Sequence, residues 1–135
     1  MSPFRIEVLT PERPLYTADV DVAVVATAEG QISILAGHAP LVTVLGAGPL
    51  LVRGAEGARL FAIGGGVLRF ERNRAVVLAE AAERADEIDV AQVEADRRRS
   101  ESALASAGDQ AQREEALRAM RWAEARLGVA RAEKD

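Results

Sequence analysis

The sequence predicts an α+β protein in which an all-β N-terminal half, folded as a β-sandwich, precedes a C-terminal antiparallel hairpin of two helices. Two observations predict this division. All 5 prolines and nine of the 11 glycines lie before residue 67, where apolar residues alternate with period two, as in half-buried strands. After Glu80 the chain becomes rich in alanine, arginine and glutamate, which are common in helices. We therefore predict a sandwich domain over residues 1–85 and a helical domain over residues 86–135.

Several short strands are predicted along the first half. Apolar residues alternate with other types at residues 4–8, 20–24 and 68–71, and Val76 and Leu78 repeat the spacing. In residues 20–24 the alternation assigns the three valines to one face. Many short strands at close intervals favour a sandwich or a small barrel. The predicted turns are Glu56-Gly57 and Asn73-Arg74.

Residues 32–52 carry no formal charge, and a stretch of this length could span a bilayer. Two prolines and three glycines interrupt the stretch, however, and would break a spanning helix. We predict two short buried strands joined by turns, and no direct insertion into a membrane. The interrupting residues are Gly37, Pro40, Gly46, Gly48 and Pro49.

The second half carries two helix starts of the same kind. Asp89 suits an N-cap, and Gln92 lies three residues later, at the reciprocal capping position. Asp109 and Gln112 repeat this spacing. Ile88 and Val93 would form a hydrophobic staple across the first cap. The predicted helices cover residues 90–105 and 110–132.

An apolar seam with a spacing of three and four residues predicts that the second helix packs on a partner. The seam is thin, because most of its side chains are alanine methyls, and each buried group of that size contributes only about 0.8 kcal/mol. A hairpin held this weakly could exchange its contact with the sandwich for a contact with another protein. The seam consists of Ala116, Met120, Ala123, Leu127 and Ala130.

The composition excludes several classes of function. The formal net charge of −4 argues against a general affinity for nucleic acid, and the absence of cysteine excludes disulfides and thiol catalysis. The N-terminus lacks the pattern of a secretory signal, so we expect a cytoplasmic protein.

Three features resemble parts of a catalytic or anion-binding site, but the residues around each of them do not support such a site. His38 is the only histidine, and neither further metal ligands nor a framed nucleophile accompany it, so we expect no catalytic residue and no metal. The glycines at 64–66 precede an apparent strand, which favours a tight hairpin or bulge over a phosphate-binding loop. The arginines at 97–99 fan around a helix, which favours a solvated face over an anion-binding cluster.

Two long motifs resemble a known family. EGQISILAGHAPLVTVLGAGPL and FAIGGGVLRFERNRAVVLAE are similar to the two signature segments of the ε subunit of F-type ATP synthases, although Ser33 and Ala36 replace a usual glycine and proline. The resemblance implies a non-catalytic subunit of the rotor, or central stalk, peripheral on the cytoplasmic face of the cell membrane. The subunit would couple proton translocation to ATP synthesis, and its extended hairpin would restrain ATP hydrolysis.

The resemblance also implies partners and contact residues. The partners are the γ subunit, the ring of c subunits, and the α and β subunits. The turn that meets γ would comprise His38, Ala39, Pro40 and Leu41. The turn facing the c ring would comprise Glu29, Gly30 and Gln31. The hairpin cations that could meet α and β are Arg113, Arg118 and Arg121.

No cofactor is required, but ATP is a candidate regulatory ligand. Some members of the family bind ATP through a motif resembling I/L-D-x-x-R-A, in which this chain has Gln92 in place of the arginine and Val93 in place of the alanine. The alternative is that Asp89 serves only as a helix cap. The residues from which an ATP site could draw are Glu83, Asp89, Arg99 and Arg126.

Three functions therefore stay open on the sequence. The first is the coupling and inhibitory subunit, the second is a nucleotide-sensing regulator whose hairpin binds ATP, and the third is a free-standing β-sandwich that binds some other partner.

Overall fold

A computed structural model describes residues 3–134, except for the side chain of Lys134. Eight strands are followed by a 3-10 turn and two helices, which confirms the predicted fold class. The strands are β1 (Phe4–Leu9), β2 (Pro14–Val20), β3 (Val22–Thr27), β4 (Gly30–Leu35), β5 (Leu41–Gly54), β6 (Gly57–Glu71), β7 (Arg74–Ala79) and β8 (Ala82–Arg84). The 3-10 turn is Ala85–Glu87, and the helices are α1 (Val90–Ala105) and α2 (Gln110–Lys134).

The strands form a β-sandwich by folding one sheet over on itself. Their order is β2-β1-β7-β6-β5-β3-β4, and β8 pairs with β6. All neighbouring pairs are antiparallel except β1 with β7, which are parallel. Ile6 on β1 and Ile34 on β4 belong to one buried cluster although their strands lie far apart in this order. The sheet therefore closes around a single core.

The predicted alternation is right for β1 and wrong in phase for β3. Phe4, Ile6 and Val8 are all buried, whereas in β3 the core residues are Ala23 and Val25. The chain bends between β2 and β3, and this bend resets which residues face inward. A one-residue change of phase moves every side chain of a strand to the other face.

The uncharged segment forms β4, one turn and a single long β5, so the turns expected at Gly46, Gly48 and Pro49 are wrong. Leu50 pairs with Val25, but the next pair joins Leu45 to Thr27, so β5 bulges away from β3 between these pairs. A bulge accepts proline, which has no N–H to donate to the neighbouring strand. Glycine is needed at 48 because a Cβ there would lie 2.9 Å from the Cβ of Ala26.

The helices begin where the sequence predicts, and α2 ends two residues later than predicted. The carboxylate of Asp89 accepts a hydrogen bond from the backbone N–H of Gln92 at 3.2 Å, and Ile88 packs on Val93. The Gln92 side chain, however, donates to Asp96 at 3.1 Å and does not return to the cap. α2 lies against β5 and β6 and carries α1 on its other side. The division into domains at residue 85 stays a prediction.

Candidate functional site

The turn between β4 and β5 presents His38 to solvent in a fixed position. Gly37 adopts a φ of 83°, which favours glycine, and its N–H donates to the Asn73 side chain at 2.8 Å. The exposed His38 ring stands edge-on to Phe70, with ring centroids 5.9 Å apart, and its Nδ1 lies 2.7 Å from the carbonyl oxygen of Ala39. The ring is therefore held by its neighbours and leaves its remaining edge exposed to solvent.

An exposed apolar surface continues from this turn along the outside of the sheet. Val44 pairs across to Val67, and Val67 pairs across to Leu78, so the three form a row over β5, β6 and β7. Val42, Val44 and Leu78 are 69%, 61% and 53% exposed. We call these four residues the outer patch. Contiguous exposed apolar residues of this kind are typical of interaction surfaces.

The outer patch is not among the contact residues that the sequence predicts. Its signal is present in the printed sequence, because β5 begins with apolar side chains at both odd and even positions, from Leu41 to Leu45. A strand with one face in the core needs only every second residue to be apolar.

The turn between β3 and β4 lies at the other end of β4 from His38. Glu29, Gly30 and Gln31 are all exposed there. The turn is closed by Thr27, whose hydroxyl donates to the carbonyl oxygen of Gly30 at 2.6 Å. A six-residue strand separates the two turns by about 17 Å, so they lie at opposite ends of β4.

A groove of about 740 Å³ lies between α1 and α2, and we call it the hairpin groove. Its lining includes Arg99, Arg126, Asp96 and Trp122. Asp96 Oδ1 accepts hydrogen bonds from Gln92 at 3.1 Å and from Arg99 at 3.0 Å, while Oδ2 lies 3.4 Å from Arg126. The hydrogen bond from Gln92, together with the two arginines, holds the pKa of Asp96 below its ordinary value, against an opposing effect of desolvation.

Arg126 connects three parts of the structure. Its guanidinium lies 5.2 Å from the centre of the Trp122 ring on the same helix and pairs with Asp96 on α1. Its Nε contacts the carboxylate of Glu83 on β8 as an ion pair, without hydrogen-bond geometry. The side chain is only 15% exposed, so these contacts are partly shielded from water.

The structure brings together only part of the predicted ATP set. Arg99 and Arg126 both line the hairpin groove. Glu83 reaches Arg126 from outside that lining, and Asp89 caps α1. Asp96 is not among the predicted site residues, since its partner Arg126 is 30 residues away and no local spacing connects them.

The glycine run is a bend inside β6 and neither a hairpin nor a phosphate loop. Gly65 and Gly66 have φ values of 103° and 142°, at the point where β6 changes its partner from β8 to β7. The ring of Trp122 lies on the backbone at Gly64, where a Cβ would approach Cε3 of the ring to 3.0 Å. The absence of a side chain at Gly64 therefore lets the ring of Trp122, the single tryptophan of the chain, pack directly on the backbone of β6.

Comparison with known proteins identifies the family of the sandwich. A family model described as "ATP synthase, Delta/Epsilon chain, beta-sandwich domain" matches residues 3–85, more than half of the chain. The chain belongs to this family. The family that the two sequence motifs predict is thus confirmed.

Curated members of the family resemble the chain beyond the sandwich. An ATP synthase epsilon chain from Desulforamulus reducens is 41% identical over 108 residues, which cover 78% of this chain and 80% of the relative. One from Pelotomaculum thermopropionicum is 42% identical over 101 residues, covering 75% of each chain.

Solved structures show the same fold. A chain in the mitochondrial ATP synthase of Euglena gracilis superposes with a TM-score of 0.81 at 20% identity, covering 100% of this chain and 83% of its own. A chain in the central stalk and c-ring of the Tetrahymena thermophila enzyme gives a TM-score of 0.60 at 17% identity, covering 93% of this chain and 95% of its own.

In this member of the family, two of the three predicted hairpin contacts lie over the sandwich. Arg118 and Arg121 line a groove that also contains the glycine bend, together with Glu80 and Glu114. Arg113 is exposed near the start of α2. Arg118 and Arg121 are also exposed at the edge of this groove.

Across residues 3–134, no helix is both long and apolar enough to cross a membrane. The same residues contain no group of three or more histidine, aspartate or glutamate side chains placed to hold a metal ion.

Proposed function

We propose that the chain is the non-catalytic rotor subunit of an F-type ATP synthase, with catalytic sites on other subunits. Its sandwich binds the γ subunit through the His38–Leu41 turn and the outer patch, and its Glu29–Gln31 turn rests on the c ring. In this way it couples proton translocation to ATP synthesis from the cytoplasmic face of the membrane.

The outer patch carries this proposal. Val42, Val44 and Leu78 each leave more than half of their surface in water. Burial of the exposed part is worth about 1 kcal/mol per residue, so the three together supply about 3 kcal/mol. That free energy corresponds to roughly a hundredfold in dissociation constant.

Binding of purified γ subunit tests the proposal. We expect Val44→Glu to weaken binding by about a hundredfold or more, because the interface would then bury an unpaired carboxylate. Ala58→Glu is the matched control, since it introduces the same charge at an exposed position of β6. Ala58 lies about 30 Å along the strand from Val67 in the patch. Equal affinities of the two variants for γ would contradict the assignment of the patch.

The hairpin is the regulatory part of the proposal. When α2 leaves the sandwich it extends along γ toward the α and β subunits, where Arg113, Arg118 and Arg121 meet acidic surfaces and restrain ATP hydrolysis. The buried core of the sandwich draws only on residues 4–79, so a chain that ends at residue 85 keeps its core. We expect this truncated chain to bind γ and to leave hydrolysis by the α, β and γ subunits unrestrained. Restraint equal to that of the full chain would refute the role of the helices.

Nucleotide sensing is the second candidate, favoured by the size of the hairpin groove and its two arginines. In this function ATP would stabilise the folded hairpin and so release inhibition. Both arginines are already paired with Asp96, which ATP would have to displace. Calorimetric titration of ATP into the isolated chain, with and without magnesium, separates the candidates. Micromolar binding supports sensing, and no heat up to millimolar ATP leaves Asp89 as a helix cap alone.

A further inference from the structure

We propose that Asp96 is a built-in counter-anion of the hairpin groove. It occupies the position that a polyphosphate would take between the two helices, so the hairpin closes without a ligand. Replacing it with a neutral residue should convert the groove into a polyphosphate-binding site. This inference concerns the isolated chain and does not depend on the rotor role.

The hydrogen bonding of Asp96 supports the proposal first. Its two oxygens are approached by donors from two helices: Gln92 and Arg99 on α1, and Arg126 on α2. A carboxylate that receives several charged donors from different elements makes the contacts that an anionic ligand would make. The side chain of Asp96 is only 28% exposed, although it lies on the surface of a two-helix hairpin.

The charged residues that line the hairpin groove also support the proposal. The titratable side chains in the lining are the two arginines, Arg99 and Arg126, and the two carboxylates, Asp96 and Glu115. The lining therefore has no net charge as it stands, and a change of Asp96 to asparagine removes the one carboxylate that pairs with both arginines, while Glu83, outside the lining, still pairs with Arg126. Its volume of about 740 Å³ lies within the range of small-ligand sites, which run from about 300 to 1,000 Å³.

The second arginine of the groove, Arg126, also connects the hairpin to the sandwich. Arg126 is paired on one side with Asp96 and on the other with Glu83 of β8. Asp96 therefore helps to fix the guanidinium that joins the hairpin to the sheet. In its absence a polyphosphate could restore the same connection, because its oxygens accept hydrogen bonds from two arginines at once.

Calorimetric titration of inorganic triphosphate tests the proposal on four proteins: the unchanged chain, Asp96→Asn, Asp96→Asn with Arg99→Gln, and the control Glu101→Gln. Glu101 lies on the same helix, is exposed and pairs with Arg97 outside the groove, so its change removes the same charge elsewhere. We expect Asp96→Asn to bind triphosphate at least tenfold more tightly than the unchanged chain, because freed arginines make charge-assisted contacts of that size. The control should match the unchanged chain, and the added Arg99→Gln should remove the gain.

Fluorescence of the single tryptophan, Trp122, guards against a trivial loss of structure. If Asp96→Asn loosens the hairpin, triphosphate should restore the emission of the unchanged chain. Triphosphate affinity that is the same for Asp96→Asn and the unchanged chain would overturn the proposal. So would an equal gain in Glu101→Gln, or micromolar binding by the unchanged chain.

Discussion

Val129→Ala should release the hairpin from the sandwich while leaving both parts folded. Val129 is 2% exposed and packs on Ala62 of β6 and Ala85 of the 3-10 turn. The substitution removes two buried methyl groups, worth about 1.6 kcal/mol by area, and the cavity left behind raises the cost to about 2 kcal/mol. The ratio of released to docked hairpin should therefore rise about thirtyfold.

Hydrogen exchange followed by mass spectrometry measures this release for each helix. The matched control is Val93→Ala, an equally buried valine that packs between the helices on Ala123 and Leu127. We expect faster exchange in both α1 and α2 for Val129→Ala, because α1 is carried by α2. For the control we expect it in α1 alone. Unchanged α2 exchange in Val129→Ala would refute the reasoning that this contact docks the hairpin.

Three further predictions concern Gly64 beneath Trp122, Gly66 in the bend of β6, and the carboxylate of Asp96. Gly64→Ala should weaken docking of the hairpin by about 1 kcal/mol and shift the emission of Trp122 to longer wavelength, since the new Cβ would meet the ring at 3.0 Å. An unchanged spectrum would contradict the packing of Trp122 on Gly64. Gly66→Ala should destabilise the sandwich by about 3 kcal/mol or more, because its φ is 142° and its Cβ would lie 2.1 Å from a carbonyl oxygen of β7. The control is Gly46→Ala, which should melt like the unchanged chain because the space around its Cβ is open. A thermal melt of both variants decides this point. The lowered pKa of Asp96, caused first by Gln92 and Arg99 on α1 and then by Arg126 on α2, means that its ionised form favours the folded α1 and the closed hairpin. This contribution is complete above the ordinary aspartate pKa of about 3.9 and is lost as the pH falls through the lower folded value. An acid titration of Trp122 emission should therefore be shallower for Asp96→Asn, and identical curves would count against the effect.

The fold could be predicted largely because local rules decide it. The alternation at Phe4, Ile6 and Val8 has one solution, with all three residues in the core. The phase of β3 could not be obtained in the same way, because valines and alanine follow one another there and either face satisfies the pattern. The three-dimensional bend before β3 makes the choice. The continuity of β5 through Pro49 likewise depends on a bulge opposite β3, which is a property of two strands.

The site residues also separate into those that local sequence predicts and those that depend on the folded structure. The His38 turn was recognisable because its glycine and proline lie beside it in the sequence. The outer patch needed the register of three strands, and the pairing of Asp96 with Arg126 needed the hairpin to be closed. Gln92 shows the limit of a local rule, since its spacing suits a capping box while its amide is taken by Asp96.

The parallel pairing of β1 with β7 has a consequence for how the chain is made. Arg5 pairs with Arg74 and Leu9 with Leu78, so β1 and its partner are 69 residues apart. At a synthesis rate of 5–20 residues per second, β1 waits roughly 4–14 s for that partner. Until β7 is made, the only strand that pairs with β1 is β2, and an isolated pair of strands is marginally stable in water. The helices follow β7 and β8 along the chain, so they meet a sandwich in which the pairing of β1 with β7 has only just formed.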